Sequence, residues 1–380
     1  MVQPNTWKHD VDIYIPNDAL TGRALVVANN GINIASDNNG IKPTFDFTEA
    51  MAIAIAQQTK TLIVSVSNVP NQYLTYTDEG VARREDSIVA HSWKLFMQSP
   101  ETRPFMSLHV PVMEAIFKNM DLAEKELQPW KIRKFIGTGL SKRAWSTWFA
   151  AIADTRIEAI APFVIDIFSM DKVLDDTYQT YGENWPLAFD EYHREGITGQ
   201  RKTENIDKLM RIEDPLRYLD SAYPQRLAIP KCILNATGDN FYVPDNTRFY
   251  FDQLPGIKAL RVAPNSDHYG IRNYVETSLI TLINRLHHAV TLPRMRMQWT
   301  KSGVKKGSIS NVLQLGFSEM PVKVVQWIAS NPTARDFRYA CGIRYEATPI
   351  APARNVTAWM TTPGERWKSF LLKRNLQMAS

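Results

Sequence analysis

Apolar residues along this chain fall into short runs separated by stretches of helix length. Val11-Asp12-Ile13-Tyr14-Ile15 alternates apolar and polar positions, which predicts a strand at a sheet edge. Ala24 to Ala28, Thr61 to Val66, Ala161 to Asp166 and Lys231 to Ala236 are nearly continuous apolar runs, the pattern of strands covered on both faces. Phe135-Ile136 running into Gly137, and Leu260 to Ala263, extend the series. A long helix is expected at about Phe47–Gln58, and another from Arg84 toward Met97. Strand alternating with helix predicts a mainly parallel sheet.

One connection in this alternation is long. Ile167 to Arg226 separates two sheet strands and holds Tyr178, Tyr181, Trp185, Tyr192, His193 and Tyr218. Connections of that length carry their own structure and often serve as lids. A helical cap is therefore expected at about 167–226, its aromatics lining a pocket or gluing the cap to the core. From Trp299 the rhythm changes again. Val312–Leu315, Val322–Trp327, Phe337–Tyr339, Ala358–Met360 and Ser369–Leu372 are short alternating runs separated by Gly and Pro. They predict a small β-sandwich. The expected division is an α/β domain over 1–298 and a β-rich domain over 299–380, the latter a packing module or a surface for a protein partner.

Composition narrows the class. The chain has 380 residues, 44% of them hydrophobic, with ten Trp and fourteen Tyr to fill a large core. The net charge of +5 is spread without a long basic run, so nucleic acid is not an expected partner. No stretch approaches the roughly 20 apolar residues of a membrane span. Met1 to Asn5 lacks the charged and apolar regions of a signal peptide. Cys232 and Cys341 are expected as buried free thiols, and neither they nor His287-His288 have metal-ligand spacing. No metal or other cofactor is expected.

The chemistry is concentrated in Lys134-Phe135-Ile136-Gly137-Thr138-Gly139-Leu140-Ser141-Lys142-Arg143-Ala144-Trp145. An apolar strand enters a Gly-x-Ser turn and a helix follows, the order a nucleophile elbow needs. Ser141 would be presented beside the first free N–H groups of that helix, with the Lys142 N–H as an oxyanion donor. Thr237-Gly238-Asp239 follows a buried strand, and Pro264-Asn265-Ser266-Asp267-His268 follows the next. Ser141, Asp239, His268 is the Ser, acid, His order of the α/β-hydrolase fold. Each residue also has a plainer role open to it: helix cap for Ser141, turn residue for Asp239, loop residue for His268. Asn29-Asn30-Gly31, directly after the Ala24–Ala28 run, stands where this fold puts the second oxyanion donor, and a simple Asn-Gly turn is the alternative. Lys142 and Arg143 lie near the positive end of the elbow helix, which is unfavourable unless they are neutralised. Either Glu85 and Asp86 pair with them, or they await an anionic substrate group.

These motifs resemble those of the PhoPQ-activated pathogenicity-related proteins, an α/β-hydrolase-like family. Its elbow is similar to Gly139-Leu140-Ser141-Lys142-Arg143-Ala144-Trp145, and its acid region to Ala236-Thr237-Gly238-Asp239-Asn240-Phe241-Tyr242-Val243-Pro244-Asp245. Further likenesses are Arg84-Glu85-Asp86, Leu254-Pro255-Gly256, Pro264-Asn265 before His268, and Asn331-Pro332 through Ala334-Arg335-Asp336-Phe337. Asn240 and Ala144 depart from the family pattern, where an acid and a Gly are usual. The first change makes Asp239 the favoured triad acid, with Asp245 the alternative. Family members generally carry further residues before the segment seen here as Trp7-Lys8-His9, and the resemblance implies an exported, periplasmic or secreted protein. The expected function is a serine hydrolase acting on a small ester or peptide, without a cofactor. The competing expectation is a non-enzymatic virulence or signalling protein built on the same scaffold.

Overall fold

Seven strands form the central sheet of the computed structural model, which describes residues 2–32, 43–70, 73–305, 308–363 and 367–375. They are β1 (Val11–Tyr14), β2 (Arg23–Ala28), β3 (Leu62–Val66), β4 (Lys134–Leu140), β5 (Ile157–Phe163), β6 (Lys231–Ala236) and β7 (Lys258–Ala263). Their spatial order is β7-β6-β5-β4-β2-β3-β1, with β1 antiparallel at the edge and the others parallel. Alternate side chains of each inner strand enter separate cores. Ala24, Val26 and Ala28 of β2 face one, and Leu25 and Val27 the other. That two-sided burial is why the strands read as continuous apolar runs.

Helices α1 (Glu49–Thr59), α2 (Asp86–Gln98), α3 (His109–Glu126) and α4 (Lys142–Ala153) follow the early strands, and α8 (Val275–His287) follows β7. α1 and α8 cover one face of the sheet, while α2, α3 and α4 cover the other. β3 and β4 lie on opposite sides of β2, so the strand order reverses there. The reversal opens a crevice at the carboxyl ends of the strands. With the Gly-x-Ser turn at the end of β4, this is the α/β-hydrolase fold.

The long connection after β5 is helical, with α5 (Met170–Thr180), α6 (Asp190–Arg194) and α7 (Glu204–Glu213) joined by short 3-10 turns. Thr203 caps α7 by accepting the Ile206 N–H at 3.3 Å. Met170, Val173, Leu209 and Met210 then pack into the core shared with α2 and α4. The C-terminal region holds two antiparallel sheets. One orders β8 (Met295–Lys305), β9 (Ser308–Phe317) and β12 (Asn355–Pro363) as β8-β9-β12; the other orders β10 (Lys323–Asn331), β11 (Glu346–Ile350) and β13 (Trp367–Asn375) as β11-β10-β13. Leu313, Leu315, Phe317, Val356 and Ala358 of the first sheet meet Val324 of the second in a small core, the layering of a β-sandwich.

Several local expectations differ from the structure. Phe337–Tyr339 is not a strand; a 3-10 turn occupies Tyr339–Cys341, because this segment packs against the α/β part. β8 begins at Met295, and of the expected 299–380 range residues 306–307, 364–366 and 376–380 lie outside those described. β5 stops at Phe163, before Asp166, where Val164 takes a positive φ of 47°. Both cysteines are free, but Cys341 is exposed and Cys232 only partly buried.

Two glycines let α4 lie against β4. A Cβ on Gly139 would fall 2.8 Å from the Arg143 carbonyl carbon, and one on Gly137 would fall 2.9 Å from Thr147 Cγ2. The first clash is with backbone and cannot be relieved by a rotamer change. Gly139→Val is therefore expected to destabilise the protein by about 1–3 kcal/mol, read as a lower urea midpoint. An unchanged midpoint would mean that α4 and β4 can move apart without cost.

Candidate functional site

Ser141 is the pivot between β4 and α4. Its backbone sits at φ 55°, ψ −127°, a region that a residue with a Cβ rarely occupies, and its side chain makes no capping hydrogen bond to the helix. The hydroxyl is therefore not spent as a helix cap. Ser141 N–H donates to Phe163 O at 2.9 Å and Ser141 O accepts from Trp145 N–H at 3.0 Å, which pins the turn from both sides. The Lys142 N–H is at the first helical position, where no intrahelical acceptor exists.

Asp239 and His268 lie on the loops after β6 and β7. His268 Nδ1 stands 2.9 Å from Asp239 Oδ2 and 3.1 Å from Oδ1, with both side chains nearly fully buried. Asp239 also accepts the Phe241 N–H at 2.8 Å, so its turn role and its pairing with His268 coexist. Asp245, the alternative acid, is elsewhere. Its carboxylate pairs with Arg335 at 2.7 and 2.8 Å and with Arg248, and half of the side chain is exposed.

The Asn29-Asn30 segment does not offer the expected oxyanion donors. Asn29 N–H donates to Val66 O at 2.8 Å, and Asn30 N–H to Asn29 Oδ1 at 2.9 Å. The side chains hold a neighbouring loop instead: Asn29 Nδ2 donates to Phe47 O at 2.7 Å, and Asn30 Oδ1 accepts from Phe45 N–H and Asp46 N–H. The Asn29 side chain thus serves the loop backbone and also takes the Asn30 N–H, while the Asn29 N–H is spent on the neighbouring strand.

The loop so held carries one part of a charge network beneath the elbow. Lys142 Nζ lies 2.9 Å from Glu85 and 3.2 Å from Asp86. Arg143 bonds Glu85 at 2.7 Å and Val69 O at 2.6 Å, and its other nitrogen approaches Asp46 at 3.9 Å. Arg272 closes the circuit on Asp46 at 2.8 Å, and Tyr192 donates its O–H to Asp86 at 3.1 Å. Burial alone would raise the Glu85 carboxyl, yet Arg143 and Lys142 outweigh it and hold the group well below the usual carboxylate range. The same burial would lower Lys142, but Asp86 and Glu85 raise it. Asp46 and Arg272 carried no signal in the sequence, since Asp46 meets Arg143, and Arg272 meets Asp46, only in three dimensions.

Ser141 and Lys142 also border a cavity of about 30 Å³, room for about one or two waters. Its walls are mostly apolar and include Trp93, Trp145, Phe189, Phe241 and Met210. Phe241 stands 4.7 Å, ring to ring, from His268. Of the insert aromatics expected at a pocket, Tyr192 borders it. Tyr178 packs on Trp185, and Tyr218 donates to Ile212 O. Away from this site Asp78, Glu79 and His91 converge as metal ligands could. Arg83 and Lys94 already pair with Glu79 and Glu195 there, so the cluster is matched by cations.

Asp166, just past β5, escaped notice in the sequence because it looked like the end of a strand. Burial pushes its carboxyl up to about 8, opposed by the Tyr250 O–H that donates to it at 2.7 Å and reinforced by the charge of Asp239. Between about pH 4 and 8 the folded chain keeps a proton that the unfolded chain has released. Stability is thus greatest below that window and falls as pH rises through it. Asp166→Asn keeps the acceptor for Tyr250 and removes the titration. It is expected to gain on the parent as pH rises from about 5 to 8, by on the order of a few kcal/mol, measured by urea unfolding at each pH. A constant difference across that range would contradict a protonated Asp166.

Known proteins resemble the chain at several levels. Autocrine proliferation repressor protein A of Dictyostelium discoideum is 27% identical over 389 residues, covering 97% of this chain and 76% of that protein. Among solved structures, acetyl xylan esterase from Paenibacillus sp. R4 is 14% identical with a TM-score of 0.47, covering 72% of this chain and 78% of the esterase. Pyrococcus horikoshii acylaminoacyl peptidase is 14% identical with a TM-score of 0.44; the match takes in 74% of this chain but only 39% of the peptidase's own length. Residues 1–338 match the family model described as PhoPQ-activated pathogenicity-related protein, and the chain belongs to that family.

Proposed function

We propose that Ser141, His268 and Asp239 work as a charge-relay triad that hydrolyses an ester or peptide bond. The observation that carries this reading is the buried Asp239–His268 pair, 2.9 Å apart at the strand ends. With Nδ1 donating to Asp239, His268 keeps a bare Nε2 to accept the Ser141 proton. The Ser141 oxygen then attacks the carbonyl carbon, and the oxyanion forms beside the Lys142 N–H and the positive end of α4. His268 returns the proton to the departing alcohol or amine, leaving an acyl-enzyme. Water, deprotonated by His268, releases the acid and restores Ser141.

The substrate group nearest Ser141 is apolar and uncharged in this proposal. Lys142 and Arg143 are already neutralised by Glu85, Asp86 and Asp46, and the adjoining cavity is walled by aromatics and methionine. Met170, Leu174, Phe189 and Tyr192 of the helical insert line this cavity, and in this proposal the insert acts as the cap over the substrate. In this proposal the α/β part runs from the N-terminal strands to about residue 294, and the two C-terminal sheets form a second domain from Met295.

A second reading is a signalling scaffold without catalysis. It is favoured by the name of the Dictyostelium relative and by the exposed Trp299, Trp359 and Trp367 on the C-terminal sheets, which would serve a protein partner. A fluorophosphonate probe separates the two. The purified protein is expected to be labelled, and Ser141→Ala and His268→Ala to lose labelling by a factor of roughly a thousand or more. A folded parent that stays unlabelled would leave the scaffold reading standing.

A further inference from the structure

The motif Asn331 to Phe337 and the Pro264-Asn265 pair have no part in the triad chemistry, yet they meet beside it. The chain between β10 and β11, residues 332–345, leaves the sandwich and crosses to the α/β part. Asn331 shapes its start by donating to Asp336 O at 2.7 Å and accepting the N–H groups of Thr333 and Ala334. The crossing segment then makes three sets of contacts, each on an element of the site.

The first is on the acid loop. Tyr339 N–H donates to Gly238 O at 3.1 Å, directly before Asp239. The approach is so close that a Cβ on Gly238 would lie 2.6 Å from Tyr339 N. The second is on the histidine loop. Asn265, held at a positive φ of 53°, turns its side-chain amide onto the backbone of Tyr345. Its Nδ2 donates to Tyr345 O at 2.9 Å, and its Oδ1 accepts Tyr345 N–H at 2.7 Å. The third joins the insert. Arg335 reaches Asp245 at 2.7 Å on one side, and Asp176 at 3.1 Å and Thr180 at 2.6 Å in α5 on the other.

The two loops are also tied to each other. Gly238 N–H donates to Ser266 O at 2.9 Å, and Asn265 N–H to Thr237 Oγ1 at 3.1 Å. These bonds fix the loops side by side but leave their outer flank open. Loops at strand ends are the most mobile part of such a site. The flank is closed by the crossing segment, whose own ends are anchored in β10 and β11. A two-bond amide clamp resists both sliding and twisting of the loop three residues before His268. Displacements of about 1 Å in such a group cost as much as a hundredfold in rate.

We propose that Asn265 is a positioning residue for the Asp239–His268 pair, acting through its two-bond clamp on Tyr345, and that the 332–345 segment is the brace that makes the C-terminal sandwich part of the catalytic unit. Its effect on rate rests on the hydrolase reading above, but its effect on geometry does not.

The test uses the full chain and two variants. Asn265→Gly tolerates the positive φ and deletes both clamp bonds, while Asn265→Asp retains the acceptor for Tyr345 N–H. The first readout is the downfield proton resonance of His268 Nδ1–H bonded to Asp239, identified by its loss in His268→Ala. It is expected to shift or broaden in Asn265→Gly and to recover only in part in Asn265→Asp, which keeps one of the two bonds, with the fold of each checked by circular dichroism. The second readout is the rate of fluorophosphonate inactivation against pH. Asn265→Gly is expected to fall roughly tenfold to a hundredfold with a displaced pH midpoint, and Asn265→Asp to regain part of that loss. A parental resonance in folded Asn265→Gly overturns the brace, whether or not the parent reacts with the probe. If the parent is unreactive but the resonance responds to Asn265→Gly, the hydrolase reading falls and the brace stands.

Discussion

Two cations immediately after Ser141, at the positive end of a helix, are the constraint around which this site is built. Lys142 and Arg143 are buried within α4, where an unmatched charge would cost several kcal/mol. The structure answers with Glu85, Asp86 and Asp46 drawn from two different loops. Satisfying the cations therefore dictates where α2 begins and where the 45–47 loop lies. Glu85 adopts φ 55°, ψ −131°, nearly the backbone geometry of Ser141, so the two strained turns face each other across the ion pairs. Strain of about 1–3 kcal/mol at each persists only when its surroundings over-determine it. The charge network supplies that over-determination.

The same network shapes what the site can recognise. Cations already matched by carboxylates leave no charge for an anionic substrate group, and the pocket beside Ser141 is walled by Trp93, Trp145, Phe189 and Phe241. Arg143 carries no spare donor toward that pocket on its Val69 and Glu85 side, because those nitrogens are spent. The insert, the α2 start and the elbow are in turn linked by the Tyr192 to Asp86 hydrogen bond. Burial of opposite charges here buys placement more than stability.

Much of the frame was legible before any coordinates. Strands such as β2, β3 and β6 announce themselves because burial on both faces demands unbroken apolar runs. The order Ser141, Asp239, His268 was legible because each follows a strand. α3 went unseen since its N-cap, Leu108, offers no side-chain cap, and its packing decides its existence. The 337–339 segment has the composition of a strand, but its backbone partners lie in Gly238 and not in a neighbouring strand. Asn29 and Asn30 occupy the expected position, yet their amides turn inward onto the 45–47 loop. Asn240 favoured Asp239 over Asp245 in the sequence, and the pairing of Asp245 with Arg335 is the reason in three dimensions that Asp245 is taken up elsewhere.

By itself the sequence determined the alternation of strand and helix, the elbow, the order Ser141, Asp239, His268 and the presence of two cations in need of partners. These follow from periodicity and from chemistry between near neighbours along the chain. Only the tertiary structure decided which carboxylate faces His268, which acids neutralise Lys142 and Arg143, and that the 332–345 segment bonds to the histidine loop. Each of those choices is a contact between residues far apart in the chain. Hydrogen bonds and ion pairs at that range depend on angstrom-scale placement, which only the packed core sets.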